Sequence, residues 1–122
     1  MVVKKTILAV DDEKDILDLY RRFLADTDCS LTTAGSIAEA ESLIEKNSYD
    51  LLITDLMLPD GRGTRLIELL GEKNAGTKSL LVSGALTPEI RAQAVRLNLF
   101  GCFAKPLRLR EFLTVVKAAL GA

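Results

Sequence analysis

At 122 residues the chain holds one domain, since a typical domain runs to roughly 150 residues. Hydrophobic residues make up 48% and charged residues 27%, a globular composition that excludes disorder, a collagen-like chain and low complexity. Sixteen basic side chains stand against seventeen acidic ones, net −1, and without a basic block the chain lacks the many phosphate contacts that direct nucleic-acid binding requires.

Lys5-Thr6-Ile7-Leu8-Ala9-Val10 is a continuous apolar run rich in β-branched residues, which predicts a strand buried on both faces, ending at Asp11-Asp12. Ile16, Leu17, Leu19, Tyr20, Phe23 and Leu24 then recur at helical spacing, with Lys14, Asp18, Arg21 and Arg22 on the outside. Ser30 to Ala34 is a second short strand. Ser36-Ile37-Ala38-Glu39 is a capping box that opens a helix to about Lys46. Leu51 to Asp55 is a third buried strand.

Leu58-Pro59-Asp60-Gly61-Arg62-Gly63 carries the densest turn chemistry and reads as a loop. A helix over Thr64–Leu70 follows, then a loop from Gly71 to Thr77. Ser79 to Ser83 is a fourth strand. Thr87-Pro88 is an N-cap followed by proline at the first helical position, and Asn98 is a left-handed stop after a helix ending near Leu97. Gly101 to Ala104 is a fifth strand, broken by Lys105-Pro106, and Leu109–Leu120 is the last helix. Strand and helix alternate five times with short connections. That order predicts an α/β fold, a doubly wound parallel sheet of five strands in the order 2-1-3-4-5, with helices on both faces. The whole chain, 1–122, reads as one domain with an ordered core over about 4–120.

In such sheets ligands bind beyond the carboxyl ends of the strands, where the strand order reverses. The first strand delivers Asp11 and Asp12 there, the third Asp55, the fourth Ser83, and Lys105 follows the fifth. Three converging carboxylates repel one another, and a hard divalent cation that takes oxygen ligands relieves the repulsion, which suits Mg²⁺. Such a cation keeps open positions for phosphate oxygens, and Lys105 and Ser83 would add a charge and a hydrogen bond to the same phosphoryl group. Aspartate carboxylates form aspartyl-phosphates, and Asp55 is the central candidate because it comes from the middle strand.

Val10-Asp11-Asp12-Glu13, Asp55-Leu56-Met57-Leu58-Pro59-Asp60-Gly61, Val82-Ser83-Gly84 and Lys105-Pro106 together resemble the receiver domain of two-component response regulators, over essentially the whole chain. The resemblance implies a flavodoxin-like receiver fold, with Asp55 as phosphoacceptor. Asp12 would bind Mg²⁺ directly and Asp11 mainly through water, with the backbone carbonyl of Met57 as a further ligand. Ser83 would close on the phosphoryl group, and Lys105 would pair with the site carboxylates and the phosphate. A cis peptide at Lys105–Pro106 is implied as well. So is a partner: a sensor histidine kinase or a histidine phosphotransfer protein, acting through an unidentified downstream protein. The chain would be a switch that catalyses only its own phosphorylation and dephosphorylation, not a turnover enzyme. One departure stands out. The aromatic residue usual three positions before the lysine is Cys102 here, and strand alternation turns Phe103 to the opposite face, into the core.

Rival chemistries fail on residues. The chain has no histidine, so histidine triads, histidine-ligated metals and phosphohistidine carriers are excluded. GxxxxGK[ST] is absent, and Asp11-Asp12-Glu13 stands where a dinucleotide-binding glycine loop would. A haloacid-dehalogenase-type phosphohydrolase would need a second Asp two residues after Asp55, where Met57 stands. The alternative is a receiver-like interaction module that signals without phosphorylation. Ordinary readings cover the rest: Asp60 as a plain turn residue without chemistry, the Met57 side chain as core filler, Cys29 as a small buried hydrophobe, and Arg96, Arg108 and Arg110 as solvated helix faces. Cys29 and Cys102 form no CxxC pair and read as reduced thiols of a cytoplasmic chain. No apolar run is long enough for a membrane span.

Overall fold

The computed structural model describes residues 4–73 and 76–121. Strand β1 (Lys5–Val10) leads into α1 (Lys14–Leu24), β2 (Cys29–Ala34), α2 (Ile37–Lys46) and β3 (Leu51–Asp55). A two-residue-per-arm hairpin follows, β4 (Met57–Leu58) and β5 (Gly61–Arg62), then α3 (Thr64–Lys73), β6 (Lys78–Ser83), α4 (Pro88–Arg96), β7 (Gly101–Ala104) and α5 (Leu109–Ala119). The main sheet is β2-β1-β3-β6-β7, all parallel, so with the hairpin set aside the order is 2-1-3-4-5 as predicted.

Strand alternation sorts the core into two layers. Leu8, Val10, Leu52 and Leu81 point to α2, α3 and α4, where they meet Ile37, Ile44, Leu66 and Leu70. Ile7, Ala9, Ile53, Leu80 and Val82 point the other way, to Leu17, Tyr20, Phe112 and Val116 of α1 and α5. Both faces of the central strands are therefore apolar, which is why their sequences run continuously hydrophobic. Truncating a fully buried member such as Leu52 or Phe112 to Ala would cost about 2–5 kcal/mol through lost transfer energy and the cavity left behind.

The helix signals act as read. Ser36 Oγ accepts from the Glu39 amide at 3.2 Å, although Glu39 returns its carboxylate to the Gly35 amide rather than to Ser36. Thr87 caps α4 through the Ile90 amide, and Asn98 adopts φ 56° just beyond that helix. Two boundaries differ by more than a residue. The Leu58–Gly63 stretch is the β4–β5 hairpin rather than irregular loop. Helix α3 runs through Gly71 to Lys73, because the Lys73 ammonium hydrogen-bonds the Ile44 carbonyl of α2; that tertiary tie overrides the weak helix propensity of glycine. Part of the predicted Gly71–Thr77 loop, residues 74–75, lies outside the described residues. Among the described residues no helix is long and apolar enough to cross a membrane.

Candidate functional site

Register places the chemistry. Val10 pairs with Thr54, Asp55 with Val82, and Ser83 with Ala104, so Asp11, Asp55, Ser83 and Lys105 all emerge at the carboxyl edge of the sheet. Backbone bonds lock the exits: the Asp11 amide donates to the Ala34 carbonyl, the Leu56 amide to Val82, and the Lys105 amide to Ser83. The Lys105–Pro106 peptide is cis.

The Lys105 ammonium donates to Asp11 Oδ2 at 3.0 Å and to Asp55 Oδ2 at 3.1 Å. Asp11 is fully buried, and its Oδ1 accepts from the Glu13 amide at 2.9 Å. Burial pushes the Asp11 carboxyl pKa up, and the Glu13 amide and Lys105 only partly pull it back. Burial also works against the Lys105 ammonium. Its hydrogen bonds to Asp11 and Asp55 outweigh that cost and raise its pKa. Among the described residues, Asp55 Oδ1 has only a long contact, 3.4 Å, from the Met57 amide. Asp12 is exposed beside this pair, and carboxylate oxygens of Asp11, Asp12 and Asp55 lie within 4.8 Å of one another. An all-oxygen set with one solvent-facing member fits a hard divalent cation that keeps part of its water shell.

The response regulator receiver domain family matches this chain over residues 7–117. The chain belongs to that family. Response regulator protein PilR of Pseudomonas aeruginosa is 28% identical over 117 residues, covering 96% of this chain and 26% of PilR. Transcriptional regulatory protein DpiA of Escherichia coli is 29% identical over 119 residues, covering 93% of this chain and 53% of DpiA. The chain thus spans about half of one curated relative and about a quarter of the other. Among solved structures, the non-phosphorylated HemR receiver domain of Leptospira biflexa superposes with a TM-score of 0.89 at 28% identity, covering 98% of this chain and 96% of that one. A CheY-like receiver domain from Methanospirillum hungatei gives 0.91 at 28% identity, with 98% and 95% covered.

Ser83 of this receiver domain is buried, and its hydroxyl is engaged by its own loop. Its Oγ accepts from the Ala85 amide at 3.2 Å and donates to the Ala85 carbonyl at 3.3 Å, a local turn. The Met57 side chain is 59% exposed, so it is not core filler as the ordinary reading had it; the hairpin arm directs it to solvent. Cys29 is half-buried on the edge strand rather than buried, because β2 has a neighbour on one side only. Cys102 packs toward the α4 layer, and burial raises its thiol pKa. Phe103 faces the other way, with its ring edge-on to Phe112 at 5.5 Å, and Phe112 stacks on Tyr20 at 5.5 Å. Arg96, Arg108 and Arg110 are exposed.

Two residues near the site escaped the sequence reading. Asp60 is not a plain turn residue: its carboxylate accepts from the Ile37 amide at 2.8 Å and the Ala38 amide at 2.9 Å, and these bonds lower its pKa. Gly63 allows no side chain, since a Cβ there would stand 2.0 Å from the Asp55 carbonyl oxygen and 2.5 Å from Thr54 Oγ1. The partners of Asp60 lie 22 and 23 residues upstream, and no local pattern announces such a contact.

Proposed function

We propose that this receiver domain is a phosphorylation-dependent switch that accepts a phosphoryl group on Asp55 from the phosphohistidine of a sensor histidine kinase or histidine phosphotransfer protein, with Mg²⁺ held by Asp11, Asp12, Asp55 and the Met57 carbonyl. The observation that carries the reading is Lys105 bridging Asp11 and Asp55 with Asp12 beside them. One Asp55 oxygen forms the bond to phosphorus as the phosphorus–nitrogen bond of the donor breaks, and the electron pair leaves with the imidazole nitrogen. Bound among the carboxylates, Mg²⁺ would offset the negative charge of the transferring phosphoryl oxygens. Lys105 supplies a fixed positive charge against that same group, already aimed before any donor arrives. Ser83 would exchange its turn at Ala85 for a hydrogen bond to the phosphoryl oxygen. The chemistry is limited to loading and unloading Asp55, so the domain acts as a cytoplasmic signalling element and not as a turnover enzyme.

Acetyl phosphate tests this directly. The parent chain should gain one phosphoryl group, read by intact mass, when Mg²⁺ is present and none when it is chelated; Asp55→Asn should gain none. Labelling of Asp55→Asn to the level of the parent would overturn the assignment. No labelling of either would leave the phosphorylation-independent module as the better account.

A further inference from the structure

The Asp60 carboxylate meets the first turn of α2 in an unusual way. A helix leaves its first amides without intrahelical partners, and a local N-cap side chain serves one of them. Ser36 does that here for Glu39. Asp60 serves two more, Ile37 and Ala38, one with each oxygen, from the turn of the β4–β5 hairpin. The same hairpin presses on α2 twice more. Leu58 joins the core cluster that contains Ile37, and Gly61, at φ +147°, lies so close that a Cβ would come within 2.9 Å of Ile37 Cδ1.

The other end of the hairpin is at the site. Its base is closed by the Gly63 amide on the Leu56 carbonyl at 2.8 Å. Its first residue is Met57, whose amide touches Asp55 Oδ1. The Met57 side chain is mostly in solvent, so the position of this peptide depends on backbone: on pairing with Arg62, on the closed base, and on whatever holds the tip. The tip is held by Asp60. The helix turn it grips follows β2, whose last residue Ala34 receives the Asp11 amide at 3.1 Å. A circuit of backbone and carboxylate bonds thus runs from Asp11 through Ala34, Ile37, Asp60 and Met57 to Asp55, and Lys105 closes it.

We infer that Asp60 is a positioning residue of the site: by tying the hairpin to the first turn of α2 it holds the Met57 peptide beside Asp55, in the place where that peptide serves as a metal ligand. The metal part of this inference rests on the reading given under Proposed function.

Asp60→Ala releases the tip, and Ser36→Ala is its control, because it removes an α2 cap without touching the hairpin. Two measurements on the full chain separate positioning from plain helix capping. The first is amide hydrogen exchange at Met57 without added metal: it should quicken in Asp60→Ala and stay at the parent rate in Ser36→Ala. The second is a MgCl₂ titration followed by amide chemical shifts, in which Asp60→Ala should bind about tenfold more weakly, the usual scale for loss of an outer-shell support, while Ser36→Ala binds as the parent does. Parent-like exchange and affinity in Asp60→Ala, or equal effects of the two variants, overturn the inference, and so does quickened exchange with unchanged affinity. A parent chain that binds no magnesium overturns the functional reading instead, and the Met57 exchange rate alone then decides the tie.

Discussion

Gly63 lies directly against the carbonyl of Asp55, with 2.0 Å between that oxygen and the place a Cβ would occupy. The neighbour is backbone of the central strand and cannot swing aside. Gly63→Ala should therefore destabilise the fold by about 3 kcal/mol, the upper end of overpacking costs, and disturb Asp55 with it. Gly84, next to Ser83, has nothing within 4 Å of its Cβ position. Gly84→Ala should stay within about 0.5 kcal/mol of the parent, as open surface substitutions do. Urea melts of the two variants check both statements, and equal midpoints would contradict them.

Lys105 holds two carboxylates in place, one of them fully buried. Lys105→Met leaves both without their cation, which should cost about 2–3 kcal/mol at neutral pH. The lysine pKa is raised in the folded state, so its contribution is complete at neutral pH and fades only as pH climbs through that raised value. On the acid side the deficit should shrink, because a protonated Asp11 no longer needs the ammonium. Thermal melts between neutral pH and the acid range would show the two curves converging; a constant gap would mean that the loss is one of packing and not of charge.

Much of this was legible in the sequence, for physical reasons that differ by residue. Asp11, Asp12, Asp55 and Ser83 each end or follow a run whose apolar continuity marks a central strand, Lys105 follows the edge strand β7, and parallel pairing then sets all of them at one end of the sheet. Thr87-Pro88 and Asn98 carry their backbone requirements in their own chemistry. Asp60 and Gly63 were not legible. The carboxylate of Asp60 is used by amides of another helix, and Gly63 is required by a carbonyl eight residues back; both follow from how the hairpin folds onto its neighbours. The extension of α3 past Gly71 has the same origin, since its anchor is the Ile44 carbonyl of α2.

Metal binding should be visible in stability. Asp11 has a raised pKa when folded, so ionising it costs the fold free energy. Stability falls as pH rises from the ordinary Asp value to the folded one, and the deficit is constant above that. Asp11→Asn should thus melt higher than the parent at neutral pH in metal-free buffer, with the advantage vanishing as pH drops toward 3.8. Mg²⁺ at ten times its dissociation constant should stabilise the parent by about 1.4 kcal/mol, or roughly 5 °C for a domain of this size. Asp12→Asn should gain much less. A parent melt that ignores millimolar Mg²⁺ would count against a cation among these carboxylates.

The phosphorylated form should be long-lived. Hydrolysis of an aspartyl-phosphate needs a water held in line with the phosphorus, and in receiver domains the residues two positions after the phosphoacceptor and two after the switch hydroxyl can orient it. Here these are Met57 and Ala85. Both are exposed, so water reaches the site, but neither side chain offers an oxygen or an N–H to hold it. Proximity without orientation gives little rate. Met57→Asn and Ala85→Glu each place a hydrogen-bonding group on the approach, and either should speed loss of the phosphoryl group by about tenfold, the low side of what a positioned polar group contributes. The substitutions leave Lys105 and the three carboxylates intact, so the rate of loading from acetyl phosphate should change less than the rate of loss. Following intact mass after donor removal gives the decay directly; decay at the parent rate in both variants would place control of the water elsewhere.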